Sequence, residues 1–471
     1  MTYIYDKQTT FLLEKMGLTN LLQEVYNRTG VEGNYTDVLL HILKERHFWP
    51  SIKIKKFRDD KNLCLLHNSY KDKDNVNEFK ELYDECRSVV LDFSRSMGNN
   101  VVINCASSIP VRMSVDEYGS IVDMNDRCYI SMEGTMITTY FHNGKWIFGS
   151  SCCPDINSSK FSHPTKTHGY MMDEALYEIY KNNVDISNPN ISVELRNLFT
   201  LNLSPLYSYE FILVHYENRH NIDYTNELGN EYKFLYHINT KNRITLQDTM
   251  ETDNKPLERL GIKYPHKFSS INEGIHYLSS NGGHSLIIKR NNQLFKIGNK
   301  ELLRKEEVNA NNYNIWYNLF YVYMLQKPNY NINEYLNEFY VNSGKPFEIG
   351  TLLNPYEDVD MIFKVLTDII YNLYISTTNY YPKYKRFKVN MDIDKTLSPV
   401  IRFHLAQLRY KQTIIYTKAI ITKEEVFTYL CHFNNIKNIK KLIYHISTTH
   451  IYNIQPVIIE LFKKMNQNLN N

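Results

Sequence analysis

The chain of 471 residues is short of the features that would place it quickly. Its seven cysteines form no C-x-x-C pair, so neither a zinc ribbon nor a dithiol motif is expected. Spread as Cys64, Cys86, Cys105, Cys128, Cys152, Cys153 and Cys431, they read as free thiols of a reducing compartment rather than a disulfide framework. Cys152 and Cys153 precede His163 and His168, but the spacing matches no usual zinc pattern, so no metal site is expected. No apolar run reaches membrane-spanning length and no signal-peptide pattern opens the chain, so the expectation is a soluble, intracellular protein. A net charge of +3 is too small to establish a polyanion partner. Glycine and proline are scarce, and no internal repeat is visible. What abounds is lysine, asparagine, isoleucine and tyrosine, with 38 tyrosines alone. All four have AT-rich codons, so part of that bias is genomic rather than functional.

The most informative stretch is Ile130-Ser131-Met132-Glu133-Gly134-Thr135 running on to Tyr140, a strand, a glycine break and an alternating second strand. Asn143-Gly144 then signals a two-residue hairpin, with Trp146-Ile147-Phe148 returning. An acid and a glycine at such a break suit a pocket, because glycine lets backbone approach a ligand; a tight hairpin with one exposed acid is the plainer alternative.

Around this stretch the periodicity predicts a helix over 8–30, ending at Gly30, and a second from Asp37 to Arg46. Residues 51–70 alternate as a strand pair. Strands are expected at Cys86–Phe93, Val101–Asn104, Tyr207–Val214, Tyr232–Ile238, His284–Arg290 and Leu294–Gly298, with a helix at Tyr170–Lys181. From about Glu301 helical periodicity takes over, in Tyr317–Leu325, Met361–Tyr374, Val400–Tyr410, Lys423–His432 and Pro456–Met465. The layout predicts an α+β body: an N-terminal part over 1–80, a core over 81–300, and an all-helical C-terminal domain over 301–471.

Several charges sit where strands should bury them. Glu210 lies in an apolar strand, and a lone buried carboxylate costs several kcal/mol unless paired or binding something. Arg87 or Arg219 are its candidate partners. Lys296, between Phe295 and Ile297, must reach a polar or ligand-facing surface. Together with Glu133 and Arg87 they are expected to line one cleft, whose mixed charges suit a nucleotide and its metal.

This order of segments resembles the RNA ligase family of covalent nucleotidyltransferases, in particular the bacteriophage type that repairs transfer RNA. That family has an E-C-R-G strand, then K-x-D-G-S, then F-E followed by N-R-I-V-x-Y, then E-G-x-V and K-x-K. Here Glu85-Cys86-Arg87-Ser88 is followed by Ser131-Met132-Glu133-Gly134-Thr135, then by Tyr209-Glu210-Phe211. Asn218-Arg219 with Ile222 and Tyr224 come next, then Gly283-His284-Ser285-Leu286 and Lys296-Ile297-Gly298. The order holds over about residues 80–300, and a helical tail is also a family feature. The resemblance implies a nucleotidyltransferase (ATP-grasp-like ligase) body of antiparallel sheets with flanking helices. It also implies ATP and magnesium as cofactors if the chain is active.

The departures are chemical. In the family the motif lysine attacks ATP and carries AMP, which requires an amine nucleophile. Ser131 stands at that position, and no lysine occurs between residues 81 and 144. Lys145 lies a strand away, at ~3.3 Å per residue roughly 20 Å distant. Gly283, Gly298 and the Phe148-Gly149-Ser150-Ser151 segment also lack the family's charged groups. Losing even one such group typically costs orders of magnitude in rate. The expectation is therefore no intact catalytic residue and no cofactor. The nucleotide-pocket remnants are Arg87, Glu133, Gly134, Glu210, Asn218, Arg219 and Lys296.

The tail carries Tyr381, Lys383, Tyr384, Lys385, Arg386 and Lys388 in one run, and Lys437, Lys440 and Lys441 on a helix. Cations interleaved with rings suit RNA, and the family resemblance implies transfer RNA; a solvated loop is the plainer reading. The AT-rich bias together with this order of motifs also resembles the RNA-ligase-like proteins of the African swine fever virus group. That implies the host cytoplasm or a virion, with viral transcription or virion proteins as partners. Three expectations follow: a degenerate ligase that binds RNA, an active RNA-repair ligase, or a structural subunit of a viral particle or transcription assembly.

Overall fold

The computed structural model describes residues 16–29, 34–46, 52–68, 85–94, 101–107, 110–119, 126–160, 166–185, 188–218, 224–249, 255–280, 284–290, 293–298, 355–381, 386–412, 421–432 and 436–449. It also describes residues 48, 82, 123, 222, 320, 323, 324, 456, 459, 462 and 463. The chain divides into two compact units, Met1–Arg304 and Lys305–Asn471. Among the described residues no helix is long and apolar enough to cross a membrane.

The first unit opens with α1 (Met16–Thr29) and α2 (Tyr35–Glu45). In α1 the spacing of Leu18, Leu21, Leu22 and Val25 makes one buried stripe. The Asn34 side chain caps α2 by accepting from the Asp37 N–H. Both helices cover an antiparallel sheet of order β1 (Ile52–Lys56), β2 (Leu63–Asn68), β3 (Val89–Asp92) and β4 (Val102–Asn104). β2 is apolar on both faces because both are covered. Cys64 and Leu66 face the helices, while Leu63 and Leu65 meet Tyr140 and Ile147 of a second sheet.

The chain continues through β5 (Val111–Ser114), the short α3 (Val115–Gly119), β6 (Arg127–Ile130), β7 (Thr135–His142) and β8 (Lys145–Ser150). It then forms α4 (His168–Tyr180), α5 (Ile191–Thr200), β9 (Tyr207–His215), α6 (Thr225–Leu228), β10 (Lys233–Asn242), α7 (Ile271–Ser280), β11 (Ser285–Arg290) and β12 (Gln293–Gly298). The second sheet has order β10-β9-β7-β8 and the third β5-β12-β11-β6. Asn143 and Gly144, at φ 45° and 78°, make the expected tight turn between β7 and β8. Ile137, Phe211 and Leu213 pack with α4 and α5 on one face of the second sheet. Leu286, Ile288, Phe295 and Ile297 pack around Leu278 of α7 on one face of the third.

Two features were not read from the sequence. The strand before the glycine break and the strand after it belong to different sheets: β6 pairs with β11, and β7 with β8 and β9. Gly134 is therefore required by the chain's own packing. A methyl group there would strike the Leu213 carbonyl oxygen and the Ile212 side chain. Second, residues 263–268 strap the two sheets together. Lys263 donates to Leu235 O (2.9 Å) and accepts from His237 N (2.8 Å), while Ile130 N donates to His266 O and Phe268 N to Cys128 O, each 2.9 Å.

The second unit contains α8 (Pro355–Thr377), β13 (Thr378–Tyr381), β14 (Arg386–Val389), α9 (Met391–Thr396), α10 (Pro399–Lys411), α11 (Lys423–Leu430) and α12 (Ile436–Thr449). Ile362, Phe363, Leu366, Leu405, Leu408, Leu430 and Leu442 share its core. The expected all-helical domain is corrected to a helical one carrying a two-stranded hairpin, which occupies the basic, aromatic run. Interleaved lysines disguised it as a loop. Arg409 ties the hairpin down, donating to Thr377 Oγ1 (3.2 Å), Thr378 Oγ1 (3.0 Å) and Asp394 Oδ1 (3.0 Å). The expected helices at Tyr317–Leu325 and Pro456–Met465 lie largely outside the described residues.

Gly134→Ala is expected to destabilise the first unit by about 2–3 kcal/mol, since the obstacle is backbone and cannot swing aside. Gly144→Ala, in open space at positive φ, is expected to cost about 1 kcal/mol. Urea unfolding of the two variants checks the difference.

Candidate functional site

Strand alternation decides what the third sheet presents on its open face. Cross-strand partners Tyr129, Ile287, Lys296 and Arg112 form one row opposite the apolar face. Beyond the end of β6, Ser131 N donates to Ser285 O (2.8 Å), which puts buried Ser131 beside Ser285. Lys296 Nζ lies 3.1 Å from Glu133 Oε1, both largely buried. The Glu133 N–H donates to the Tyr224 hydroxyl (2.7 Å), whose pKa burial drives well up. Glu133 and Lys296, two of the four residues expected to line one cleft with Glu210 and Arg87, are thus brought together.

Glu210 stands in a separate cluster on the second sheet. Its carboxylate accepts from Ser107 N (2.8 Å) and Ser107 Oγ (2.6 Å), and Lys241 Nζ is 4.0 Å away. Asn239 Nδ2 donates to Ser107 Oγ (2.9 Å) and Asp248 Oδ1 (2.8 Å), and Lys241 reaches Asp248 Oδ1 at 3.1 Å. A bulge between His237 and Asn239 shifts the register so that Asn239 pairs with Glu210. Burial works to lower the Lys241 amine, yet Cys105, Glu210 and Asp248 raise it on balance. Burial lowers the Arg87 guanidinium, and attraction to Glu210 partly offsets it. Glu210 is therefore a partnered carboxylate, and Ser107, Asn239, Lys241 and Asp248 are members that sequence reasoning missed. Arg219 lies outside the described residues.

Asn218 has a positioning role: its Nδ2 donates to Thr135 Oγ1 (2.8 Å) directly after the glycine break. From Thr135 a buried chain runs to His168 (3.1 Å), Ser159 (2.8 Å) and Ser150 (2.9 Å). Ser88, where the resembled segment carries glycine, takes φ 50°, a conformation that glycine enters without strain.

The open faces also carry cations over rings. Lys263 on the strap lies 3.3 Å from the Phe234 ring centroid, and burial pushes its amine below the ordinary lysine value. Lys267 and Lys289 lie 6.0 Å and 5.5 Å from the Tyr129 centroid. Lys289 also donates to Ile238 O (2.8 Å), joining β11 to β10. Amines over aromatic faces, Lys263 and Lys289 half-buried and Lys267 exposed, suit an anion attached to a flat ring system. Among these lysines only Lys296 was singled out from sequence; period-two spacing on β6 and β11 was the signal for Tyr129 and Lys289.

A polyphosphate fits such cations, but covalent adenylation and its metal do not fit these clusters. Ser131 offers no amine, Lys296 is held by Glu133, and Glu133 and Glu210 each face a lysine rather than an open coordination position. A separate triad, Glu174, His215 and Glu217, has metal-ligand atoms within 4.8 Å of one another. There Lys166 already bridges both carboxylates and Lys233 lies 3.7 Å from Glu174. Cys153 donates to Asp155 O (3.3 Å), and His163 lies outside the described residues.

In the tail, Tyr381 and Lys388 are exposed, and Arg386 is the strand partner of Tyr381. Lys441 is exposed, while burial lowers the half-buried Lys440. Lys383, Tyr384, Lys385 and the side chains of Arg386 and Lys437 lie outside the described residues.

No protein-family model matches the chain, and no curated protein matches it. Among solved structures it is similar to an archaeal ATP-dependent RNA ligase, at 10% identity and TM-score 0.37, covering 73% of this chain and 82% of the ligase. It is also similar to a Naegleria gruberi RNA ligase variant with ATP and manganese, at 10% identity and TM-score 0.29, covering 54% and 76%. Likeness at this level assigns no activity to the chain.

The buried cluster predicts a pH window. Asp248 is lowered on balance, so its stabilising contribution is present above its unfolded value of about 3.9 and lost as pH falls through the folded value. Lys241 is raised, so its contribution is present below about 10.4 and lost as pH rises through the folded value. This cluster adds no slope of its own between those limits, while the buried imidazoles of His67, His237 and His404, each lowered to about 4, make denaturation midpoints fall as pH drops below their unfolded value of about 6.5. Lys241→Met should cost about 3 kcal/mol near neutrality, by leaving Glu210 without its amine, and should reduce the alkaline decline, to which buried thiols such as Cys64, raised to about 12, also contribute.

Proposed function

We propose that this chain is an RNA-ligase-like protein that binds RNA, with transfer RNA as the substrate class, and does not adenylate itself. The observation that carries this reading is the pairing at the glycine break. A hydroxyl, Ser131, occupies the position where AMP capture needs a neutral amine, and the neighbouring amine, Lys296, is engaged by Glu133. An ammonium in an ion pair has no lone pair to offer phosphorus. What remains on the open sheet faces, amines beside rings, binds phosphate and base without bond chemistry. RNA as the partner is supported by the tail, where residues 380–411 carry eight basic and two acidic side chains. The cytoplasm or a virion as location, and viral transcription or virion proteins as partners, belong to the same proposal and rest on the resemblance alone.

A second reading, an active ATP-dependent ligase with a displaced nucleophile, is favoured by one observation. Lys263 is half-buried over Phe234 with its amine pushed down, the character that a nucleophilic lysine needs. Incubation with α-labelled ATP and magnesium or manganese separates the readings. The first expects no acid-stable adduct; the second expects one that maps to Lys263 and vanishes in Lys263→Ala. Ser131→Lys alone is expected not to restore ligation, because Lys296 stays paired with Glu133.

A salt-dependent gel shift with transfer RNA tests the partner. Replacing Lys383, Lys385, Arg386 and Lys388 by Ala should weaken the shift and reduce the slope of log K against log salt by about 0.7 per lost phosphate contact. An unchanged slope would remove the hairpin from the interface. No shift at all in the wild type would favour a structural subunit.

A further inference from the structure

Helix α10 presents a face that the core does not use. Its N-terminus is set by Ser398, whose side chain accepts from Ile401 N, with Pro399 in the first turn. Ile401, His404, Leu405 and Leu408 fill the core at helical spacing. On the other side Phe403 is 41% exposed and Tyr410 61% exposed, with Ala406 and Gln407 exposed between them. Two large rings left in water need a reason, and codon bias toward tyrosine does not supply one for two rings in register.

Seven residues make almost two full turns, so both rings project from one side of the helix, about 10.5 Å apart along its axis. That gap corresponds to three stacking intervals of about 3.4 Å, the spacing of successive bases, so two bases fit between the rings. Ala406 leaves the space open, and Gln407 offers an amide whose donor and acceptor match a base edge. Exposed Arg402 adjoins Phe403 and is placed for a phosphate. Arg409 and Lys411 on the same helix are engaged, by Thr377, Thr378 and Asp394, and over the Tyr429 ring at 5.1 Å. The local excess of eight basic over two acidic side chains fits a polyanion better than an apolar protein partner.

We infer that α10 is a stacking platform for an unpaired dinucleotide step of RNA, held between Phe403 and Tyr410. The inference rests on the reading of the tail as RNA-binding and deepens it: the substrate class is RNA that offers unpaired bases. A continuous duplex hides its base faces and is not a ligand for this platform.

The test uses the full-length chain, a fluorescein-labelled oligoadenylate, and the same strand annealed to its complement, followed by anisotropy over a salt series. The wild type should bind the single strand more tightly than the duplex. Phe403→Ala and Tyr410→Ala should each weaken single-strand binding about tenfold with the salt slope unchanged, because a ring contributes stacking and no counterion release. Tyr410→Phe should bind like the wild type, and the emission of Tyr410→Trp should be quenched by the oligonucleotide. Both rings are exposed, so circular-dichroism melting of the variants should match the wild type. RNA binding that persists unchanged in the Phe403→Ala/Tyr410→Ala double variant, or equal binding of strand and duplex, would overturn the platform while leaving the tail as an RNA-binding unit. Absence of any RNA binding by the wild type would overturn both.

Discussion

The first unit depends on a single close approach. At Gly134 the chain leaves the third sheet and enters the second, and its backbone passes against the Leu213 carbonyl with no room for a side chain. That crossing sets Ser131 and Glu133 at the end of β6, where Lys296 of β12 reaches Glu133. It equally sets Thr135 at the start of β7, where Asn218 and His168 hold it. A bulkier residue would have to push the sheets away from each other, so the glycine fixes the relation between every polar group around it.

Charge is then handled by enclosure rather than by solvent. Glu133 is met by Lys296, and Glu210 by Ser107 and Lys241, inside an interior where an unmet carboxylate would cost several kcal/mol. The same pairing occupies both carboxylates with partners from the chain itself. The cations toward the open faces, Lys263, Lys267 and Lys289, lie over rings. The second unit keeps rings on its surface, where Tyr381, Phe403 and Tyr410 stand exposed around a largely apolar core that also buries His404 and Gln412.

Much of the architecture was legible residue by residue. The stripe of α1, the Asn143-Gly144 turn and the alternating β7 each announced themselves through period and turn chemistry, because those signals are local. The hairpin of β13 and β14 was hidden by its lysines, and α5 and α7, each ten residues long and amphipathic, were not read from the sequence. The strap at 263–268 was invisible because its pattern is set by the edges of two distant strands, not by its own side chains.

What the amino-acid order determined by itself is the kind of elements: strands then helices, and a glycine where backbone must come close. Those are properties of single residues and near neighbours. Only the tertiary structure decided that β6 and β7 lie in different sheets, that Glu210 is met by Ser107 and Lys241, and that Lys296 is engaged by Glu133. Partnership between charges is a matter of distance and burial, and both arise from contacts between segments up to about 160 residues apart.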